Sequence, residues 1–236
     1  MTRLPITTDL IHSLVGEVAP LVEGLTRWPL ETAALNVRVL PRDRGYEEIV
    51  LRRMGAVGIP VDETAPRNLI ERLVEYAFEH NVAGGYEPSR GELMLVRENV
   101  DDSNLDGLRV VVGHELVHRG QHLMHPELFA RVDSVTREAF ELMAGGGGGF
   151  EAIVEKLKKV QSIMTLLESH AVYVQEKLRQ TRFPEAEIET HHGLTALLFR
   201  FLAGAKMAQY RAGIPKVAAA VAAGNVDALY AQLKSG

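Results

Sequence analysis

Two imidazoles and a carboxylate lie within one short stretch of the chain, His114-Glu115-Leu116-Val117-His118. Residues four apart on an α-helix share one face, so His114 and His118 can bind a single metal ion. Glu115 lies about 100° around the helix from His114, where its carboxylate can reach a water on that ion without binding the ion. This arrangement is typical of zinc peptidases; the alternative is a pair of core histidines satisfied by hydrogen bonds.

A catalytic zinc site usually has three protein ligands and a water, so a third ligand is expected elsewhere in the chain. The extended motif H-E-x-x-H-x-x-G-x-x-H is excluded, because Gln121 and Met124 stand where it requires glycine and histidine. Glu168 is the natural candidate, because its neighbours one helical turn away carry no charge and a carboxylate among them needs a cation. A buried ion pair with an arginine is the alternative for Glu168.

Other histidines compete with Glu168 for the role of third ligand. The segment around His170 is apolar on nearly all sides, so helical periodicity does not separate His170 from Glu168. His122 extends the histidine face, but three ligands on one straight helix diverge too far for tetrahedral coordination. His122 is therefore interpreted as a surface residue or a partner of a ligand, and His191 and His192 as part of a polar loop or helix start.

Hydrophobic spacing predicts a mainly α-helical chain of the α+β type, with a short strand or small sheet before the helix of the H-E-x-x-H motif. That helix is predicted over about residues 105–123, the strand over 92–99, and a turn at 83–85. Further helices are predicted at about 8–24, 44–54, 65–81, 126–143, 150–160, 161–179, 193–211, 215–223 and 226–234. Residues 36–40 are ambiguous, with a short strand as one interpretation. The glycines at 145–149 predict a connector, with a lid over the zinc helices as the functional alternative.

Several separated strings resemble the zincin-like metallopeptidase family, which is best represented in actinobacteria. They are GGYEP at 84–88, LMLVREN at 93–99, GHELVHR at 113–119, LLESHAVYV at 166–174 and KMAQYRAG at 206–213, and together they span roughly residues 80 to 235. The resemblance implies that His114, His118 and Glu168 bind one Zn²⁺ ion and that Glu115 is the general base. It also implies that the strand before the metal helix lies at the sheet edge and pairs with an extended substrate.

The length and composition of the chain limit the classes of function that it can have. With 236 residues and 46% hydrophobic residues, the chain is expected to form a single zincin-like domain over residues 1–236, with a small helical lobe at about 1–60 as a further expectation. A net charge of −5 gives no support to nucleic-acid binding. The absence of cysteine excludes disulfides and thiolate-bound metals. Because neither a signal sequence nor a membrane-spanning stretch is evident, a cytoplasmic location is expected.

The sequence therefore predicts a zinc metallopeptidase that acts on a peptide or protein substrate, with Glu115 as the general base. Tyr210 is the candidate donor to the developing oxyanion, alongside Tyr173, His191 and His192; packing of Tyr210 in the core is the alternative. An acidic partner is expected for the two histidines of the motif.

Two other functions stay open at this point. In the first, the metal only braces two helices of a non-catalytic interaction module, with His170 or His122 as a fourth ligand. In the second, the same ligands serve a metallohydrolase of a non-peptide substrate. Spacing and composition specify neither the substrate nor the oligomeric state.

Overall fold

The fold is mainly helical, with one small sheet, which confirms the predicted fold class. The structure is a computed structural model that describes residues 3–61, 69–145, 149–187 and 210–234. The helices are α1 Thr8–Thr26, α2 Arg42–Tyr46, α3 Arg52–Ala56, α4 Leu69–Asn81, α5 Leu105–Met124, α6 Pro126–Gly145, α7 Phe150–Thr181, α8 over residues 210–222 and α9 Val226–Lys234. A π-helical turn, Glu47–Leu51, joins α2 to α3. None of the helices in these ranges has the length and apolar character that crossing a membrane requires.

Two of the predicted helix boundaries are wrong. Residues 150–160 and 161–179 form one helix, α7, because no glycine or proline interrupts its 32 residues. The break predicted between residues 211 and 215 is also absent, since α8 continues through Gly213 and Pro215. Residues 193–209 of the helix predicted over 193–211, the predicted start of α4 before Leu69 and the glycines at 146–148 lie outside the described residues.

The sheet has three strands, β1 Asn36–Leu40, β2 Gly84–Glu87 and β3 Glu92–Val96, in the order β1-β3-β2. β3 pairs in parallel with β1 and antiparallel with β2. The predicted strand therefore lies at the centre of the sheet and is wholly buried, so the expectation that it forms the edge is wrong. The glycines predicted to form a turn begin β2 instead, and β2 is an edge strand.

Helix α5 lies at the centre of the molecule, packed against α1 and α7. Its N-terminus is capped by Asn104, whose Oδ1 accepts a hydrogen bond from the Gly107 backbone N–H at 2.6 Å. Leu116 and Val117, within the H-E-x-x-H motif, are fully buried, and burial of each stabilises the fold by about 1.5–3 kcal/mol. The motif is thus part of the hydrophobic core, and its polar residues need partners inside the protein.

Candidate metal centre

Three side chains that could bind a metal converge, those of His114 and His118 in α5 and of Glu168 in α7. Their ring nitrogens and carboxylate oxygens, called the three donors below, are directed at one another. His114 Nε2 lies 3.2 Å from His118 Nε2 and 3.5 Å from Glu168 Oε2, and His118 Nε2 lies 3.6 Å from Glu168 Oε1. Ligand atoms around a tetrahedral zinc ion are about 3.3–3.5 Å apart, as its bond lengths of about 2.0–2.2 Å require. The three donors therefore fit one ion, and within the described residues no other such group of three is present.

Gln121 determines which nitrogen of His118 carries the proton. The Gln121 side-chain Nε2 donates to the backbone carbonyl of Leu167 at 2.8 Å, and a carbonyl can only accept, so the amide has one possible orientation. Gln121 Oε1 then faces His118 Nδ1 at 2.8 Å and accepts its proton. The neutral His118 ring consequently presents a free electron pair on Nε2 to the site.

A second glutamine makes the corresponding contact with the Nδ1 atom of His114. Gln175 Oε1 lies 2.8 Å from His114 Nδ1, and Gln175 follows Glu168 by seven residues, so both side chains lie on one face of α7. The sequence predicted an acidic partner for the histidines; the partners are amides. Amide oxygens orient the two rings but add no negative charge to the site.

Three electron-pair donors at such short range need a positive charge between them, which a proton or a divalent cation supplies. Burial disfavours the charged form of His118, yet the charge and hydrogen bond of Glu168 raise the pKa of this imidazole to about 9. Burial likewise favours the neutral form of Glu168, but the charge of His118 and the hydrogen bonds to both histidines lower the pKa of its carboxyl group. A metal ion would therefore compete with a proton for this site near neutral pH.

Glu115 is buried beside the three donors, with 7% of its surface exposed. Burial raises the pKa of its carboxyl group, and the charge of Glu168 acts in the same direction, while the histidines and a hydrogen bond from the Tyr86 backbone N–H oppose the shift. Tyr86 belongs to β2, so the edge strand holds this carboxylate in place. A carboxyl group whose pKa is raised toward neutrality is suited to accept a proton and later return it.

His114, His118 and Glu168 line a cleft of about 420 Å³. Strand β2 lines the cleft, together with apolar side chains of α6 and α7, Phe129, Val132 and Met164. Arg53 also lines the cleft, but its guanidinium group is paired with Glu87 at 2.8 Å and with Asp133. Because Arg53 is neutralised by these carboxylates, the part of the cleft beside His114, His118 and Glu168 is predominantly apolar.

Tyr210 lies at the beginning of the described part of α8 and is half-buried. Burial, together with the negative charge of Glu168, raises the pKa of its hydroxyl group to about 12, so the group keeps its proton at neutral pH. The Tyr210 backbone carbonyl accepts a hydrogen bond from Ser169 Oγ at 2.8 Å, which joins α8 to α7 next to Glu168. Its role as a donor to substrate stays a prediction.

The other described residues predicted as alternative ligands or as donors to the substrate make contacts elsewhere in the protein. His170 is fully buried, and its Nδ1 lies 2.9 Å from the hydroxyl group of Tyr230. His122 Nδ1 lies 3.1 Å from the hydroxyl group of Tyr86. The ring of Tyr173 packs against the Lys177 ammonium group, 5.7 Å from the ring centre. His191 and His192 lie outside the described residues.

Sequence reasoning missed the two glutamines and the edge strand. The H-E-x-x-H pattern by itself predicts neither Gln121 nor Gln175 as a partner of a histidine. Their spacing is a usable signal, because Gln121 is three residues from His118 and Gln175 is seven residues from Glu168, each on the face of its ligand.

The site defines a class, a helical protein with an H-E-x-x-H helix and a glutamate from a second helix. No family model matches the chain, and no curated protein and no solved structure is significantly similar to it. The resemblance to zincin-like metallopeptidases therefore stays a prediction.

Proposed function

We propose that the chain is a zinc-dependent hydrolase of the zincin-like type that cleaves peptide bonds. The observation that carries the proposal is the convergence of His114 Nε2, His118 Nε2 and a Glu168 oxygen within 3.2–3.6 Å of one another, with Glu115 beside them. When bound there, zinc acts as a Lewis acid and lowers the pKa of a coordinated water toward neutrality.

The residues around the three donors have separate roles in this proposal. Glu115 accepts a proton from the attacking water and returns it to the leaving amine. Tyr210, with its protonated hydroxyl group near Glu168, donates to the oxyanion that develops on the scissile carbonyl. Gln121 and Gln175 hold the imidazole rings with their Nε2 electron pairs directed at the ion.

An extended substrate is positioned by β2 in this proposal. The backbone groups of an antiparallel strand alternate in direction, and Ala83 O pairs with Val96 N, so Gly84 and Tyr86 direct theirs away from β3. The Tyr86 N–H holds Glu115, which leaves the Tyr86 carbonyl and the Gly84 groups for a peptide lying along this edge. The apolar side chains that line the cleft favour an apolar substrate side chain next to the cleaved bond.

The geometry also favours catalysis over a purely structural metal. A structural zinc site is usually closed by four protein ligands. Among the described residues only three donors converge, and the two histidines that would close the site, His122 and His170, are directed at Tyr86 and Tyr230. One coordination position is then available for water.

Metal analysis combined with Glu115→Gln tests the proposal. The purified protein is analysed for zinc, iron and manganese, because two histidines and a carboxylate also suit Fe(II). We expect about one zinc ion per chain and hydrolysis of members of a peptide library; Glu115→Gln keeps the zinc and loses the hydrolysis. Glu141→Gln, an exposed carboxylate of α6, is the matched control and retains both.

The outcomes separate the alternatives. A wild-type protein without bound metal contradicts the metal site. Stoichiometric zinc without hydrolysis of any peptide by the wild type contradicts the peptidase assignment. Hydrolysis that persists in Glu115→Gln contradicts the role given to this glutamate.

A further inference from the structure

A chain of buried hydrogen bonds leads from the metal site to the C-terminal helix α9. Gln121 Nε2, which already donates to the Leu167 carbonyl, also donates to the Tyr230 hydroxyl oxygen at 3.0 Å. The buried Tyr230 hydroxyl group also needs an acceptor for its own proton, and among the described residues His170 Nδ1, 2.9 Å away, is the one within reach. We therefore assign this bond as donated by Tyr230. Gln121, Tyr230 and His170 are all fully buried, so bulk solvent does not reach these bonds.

Every bond in this chain points in the same direction. His118 Nδ1–H donates to Gln121, Gln121 donates to Tyr230, and Tyr230 donates to His170. Hydrogen bonds arranged head to tail polarise one another, so each acceptor becomes stronger when it also donates. The hydroxyl group of Tyr230 therefore strengthens the bond that Gln121 Oε1 makes to His118 and increases the electron density on the ring.

Aromatic packing holds Tyr230 in place. His125 stacks on the Tyr230 ring with 4.4 Å between the ring centres and 8° between the planes. Trp28 meets the rings of Tyr230 and His170 edge-on, at 5.4 and 5.0 Å. Trp28 Nε1 also donates to Asp227 Oδ1 at 3.2 Å, which attaches the beginning of α9 to this cluster.

We propose that Tyr230 is a positioning residue for the metal ligand His118, that it acts through Gln121, and that α9 thereby raises the metal affinity of the site through this one hydroxyl group. Tyr230 is 112 residues from His118 in the sequence and does not line the cleft. The inference rests on the metal binding included in the proposed function, and it assigns a role to α9 that cleavage itself does not require.

Zinc affinity, measured by competition with a chromophoric chelator, tests the inference in three variants of the full chain. Tyr230→Phe removes one hydroxyl group and keeps the ring, and we expect zinc affinity to fall by about tenfold, at the lower end of the 10- to 100-fold typical of residues behind metal ligands. Gln121→Leu removes the direct partner and is expected to lower it at least as much. The double variant is expected to match Gln121→Leu alone, because Tyr230 acts only through Gln121.

Leu229→Ala is the matched control, since it removes a buried side chain of α9 next to Tyr230 but leaves the hydrogen bonds intact. We expect Leu229→Ala to lower the urea midpoint of unfolding while its zinc affinity stays within about twofold of the wild type. The absorption spectrum of the Co²⁺-substituted protein provides a second readout, because Tyr230→Phe then shifts the ligand-field bands and Leu229→Ala leaves them unchanged.

Several results would overturn the role of Tyr230. These are equal zinc affinity in Tyr230→Phe and the wild type, an equal loss in Tyr230→Phe and Leu229→Ala, and additive losses in the double variant. In each case the wild type still binds zinc, so the proposed function stands. A wild-type protein that binds no zinc instead overturns the proposed metal site and this inference with it.

Discussion

Helices pack closely beside the candidate metal site at Gly113, which precedes His114, and this contact makes a quantitative prediction. A Cβ atom at Gly113 would lie 2.5 Å from Leu178 Cδ1 and 3.3 Å from Val18 Cγ1. Carbon atoms in contact are about 3.5–4.0 Å apart, so the overlap with Leu178 is about 1 Å. Leu178 and Val18 are fully buried, so the overlap is relieved only if Leu178 changes its rotamer or α5 and α7 move apart.

Gly113→Ala is therefore expected to destabilise the protein by about 1–2 kcal/mol. The exchange gains about 1 kcal/mol from helix propensity but loses roughly 2–3 kcal/mol from overpacking, at the upper end of the usual range. For a chain of this size the net loss lowers the midpoint of thermal unfolding by about 2–8 °C. Zinc affinity is expected to fall as well, because separating α5 from α7 moves His114 and His118 away from Glu168.

Gly16→Ala is the control for the change of residue type. Gly16 lies in α1 with no atom within 4 Å of the added methyl group, so this exchange is expected to stabilise the protein by about 0.5–1 kcal/mol. A second control places Gly113→Ala in a Leu178→Ala background, where the overlap is removed and the exchange becomes neutral or stabilising. Urea unfolding followed by circular dichroism measures all variants. Equal stabilisation by Gly113→Ala and Gly16→Ala would refute the packing argument.

Three further outcomes are expected. Glu168→Ala is expected to lower zinc affinity by more than about 100-fold, which exceeds the effect of removing a hydrogen-bond partner of a ligand. His122→Ala is expected to retain zinc. A chelator competition in which His122→Ala loses zinc and Glu168→Ala keeps it would contradict the ligand set. Tyr210→Phe keeps zinc and lowers kcat by about 100-fold in a peptidase assay, and an unchanged kcat would exclude Tyr210 as a donor. Although burial favours the neutral acid, the hydrogen bond and charge of Arg38 lower the pKa of Glu48 below its ordinary 4.5. The stabilising effect of Glu48 is thus complete above that value and decreases as the pH falls below it. In urea unfolding at acid pH, the difference in stability between the wild type and Glu48→Gln is therefore expected to narrow. A difference that stays constant with pH would contradict this assignment.

Local chemistry made α5, the helix that carries His114 and His118, predictable. Asn104 caps its first turn, and His125 followed by Pro126 ends it, so the predicted range of 105–123 differs by one residue from the observed Leu105–Met124. The spacing of His114 and His118 then places both rings on one face. These features depend only on residues close in the sequence.

Residues brought together by tertiary packing were not predictable in the same way. Glu168 and His170 are about 200° apart around α7, and both lie in an apolar surrounding, so only the packing of neighbouring helices decides which one faces α5. Glu168 faces α5, while His170 faces Tyr230 of α9. The amide partners of the histidines show the same limit, because Gln175 contacts a ring 61 residues earlier.

The sheet illustrates a related limit of local patterns. Two consecutive glycines usually indicate a turn, but Gly84 lies in a strand where a Cβ atom would come within 2.6 Å of the Met94 carbonyl oxygen. The glycine is needed there because β2 lies so close to β3. The need for glycine at position 84 depends on pairing with β3, and the local sequence does not specify which strand pairs with β2.

Trp28 is the single tryptophan of the chain, and it lies between Tyr230, His125 and His170. All indole fluorescence of the protein therefore originates at the contact between α9 and the helices that carry His118 and Glu168. Separation of α9 would admit water to this indole and shift its emission to longer wavelengths. The protein thus contains an intrinsic optical reporter for this contact, and the state of the C-terminal helix can be followed in solution without an attached dye.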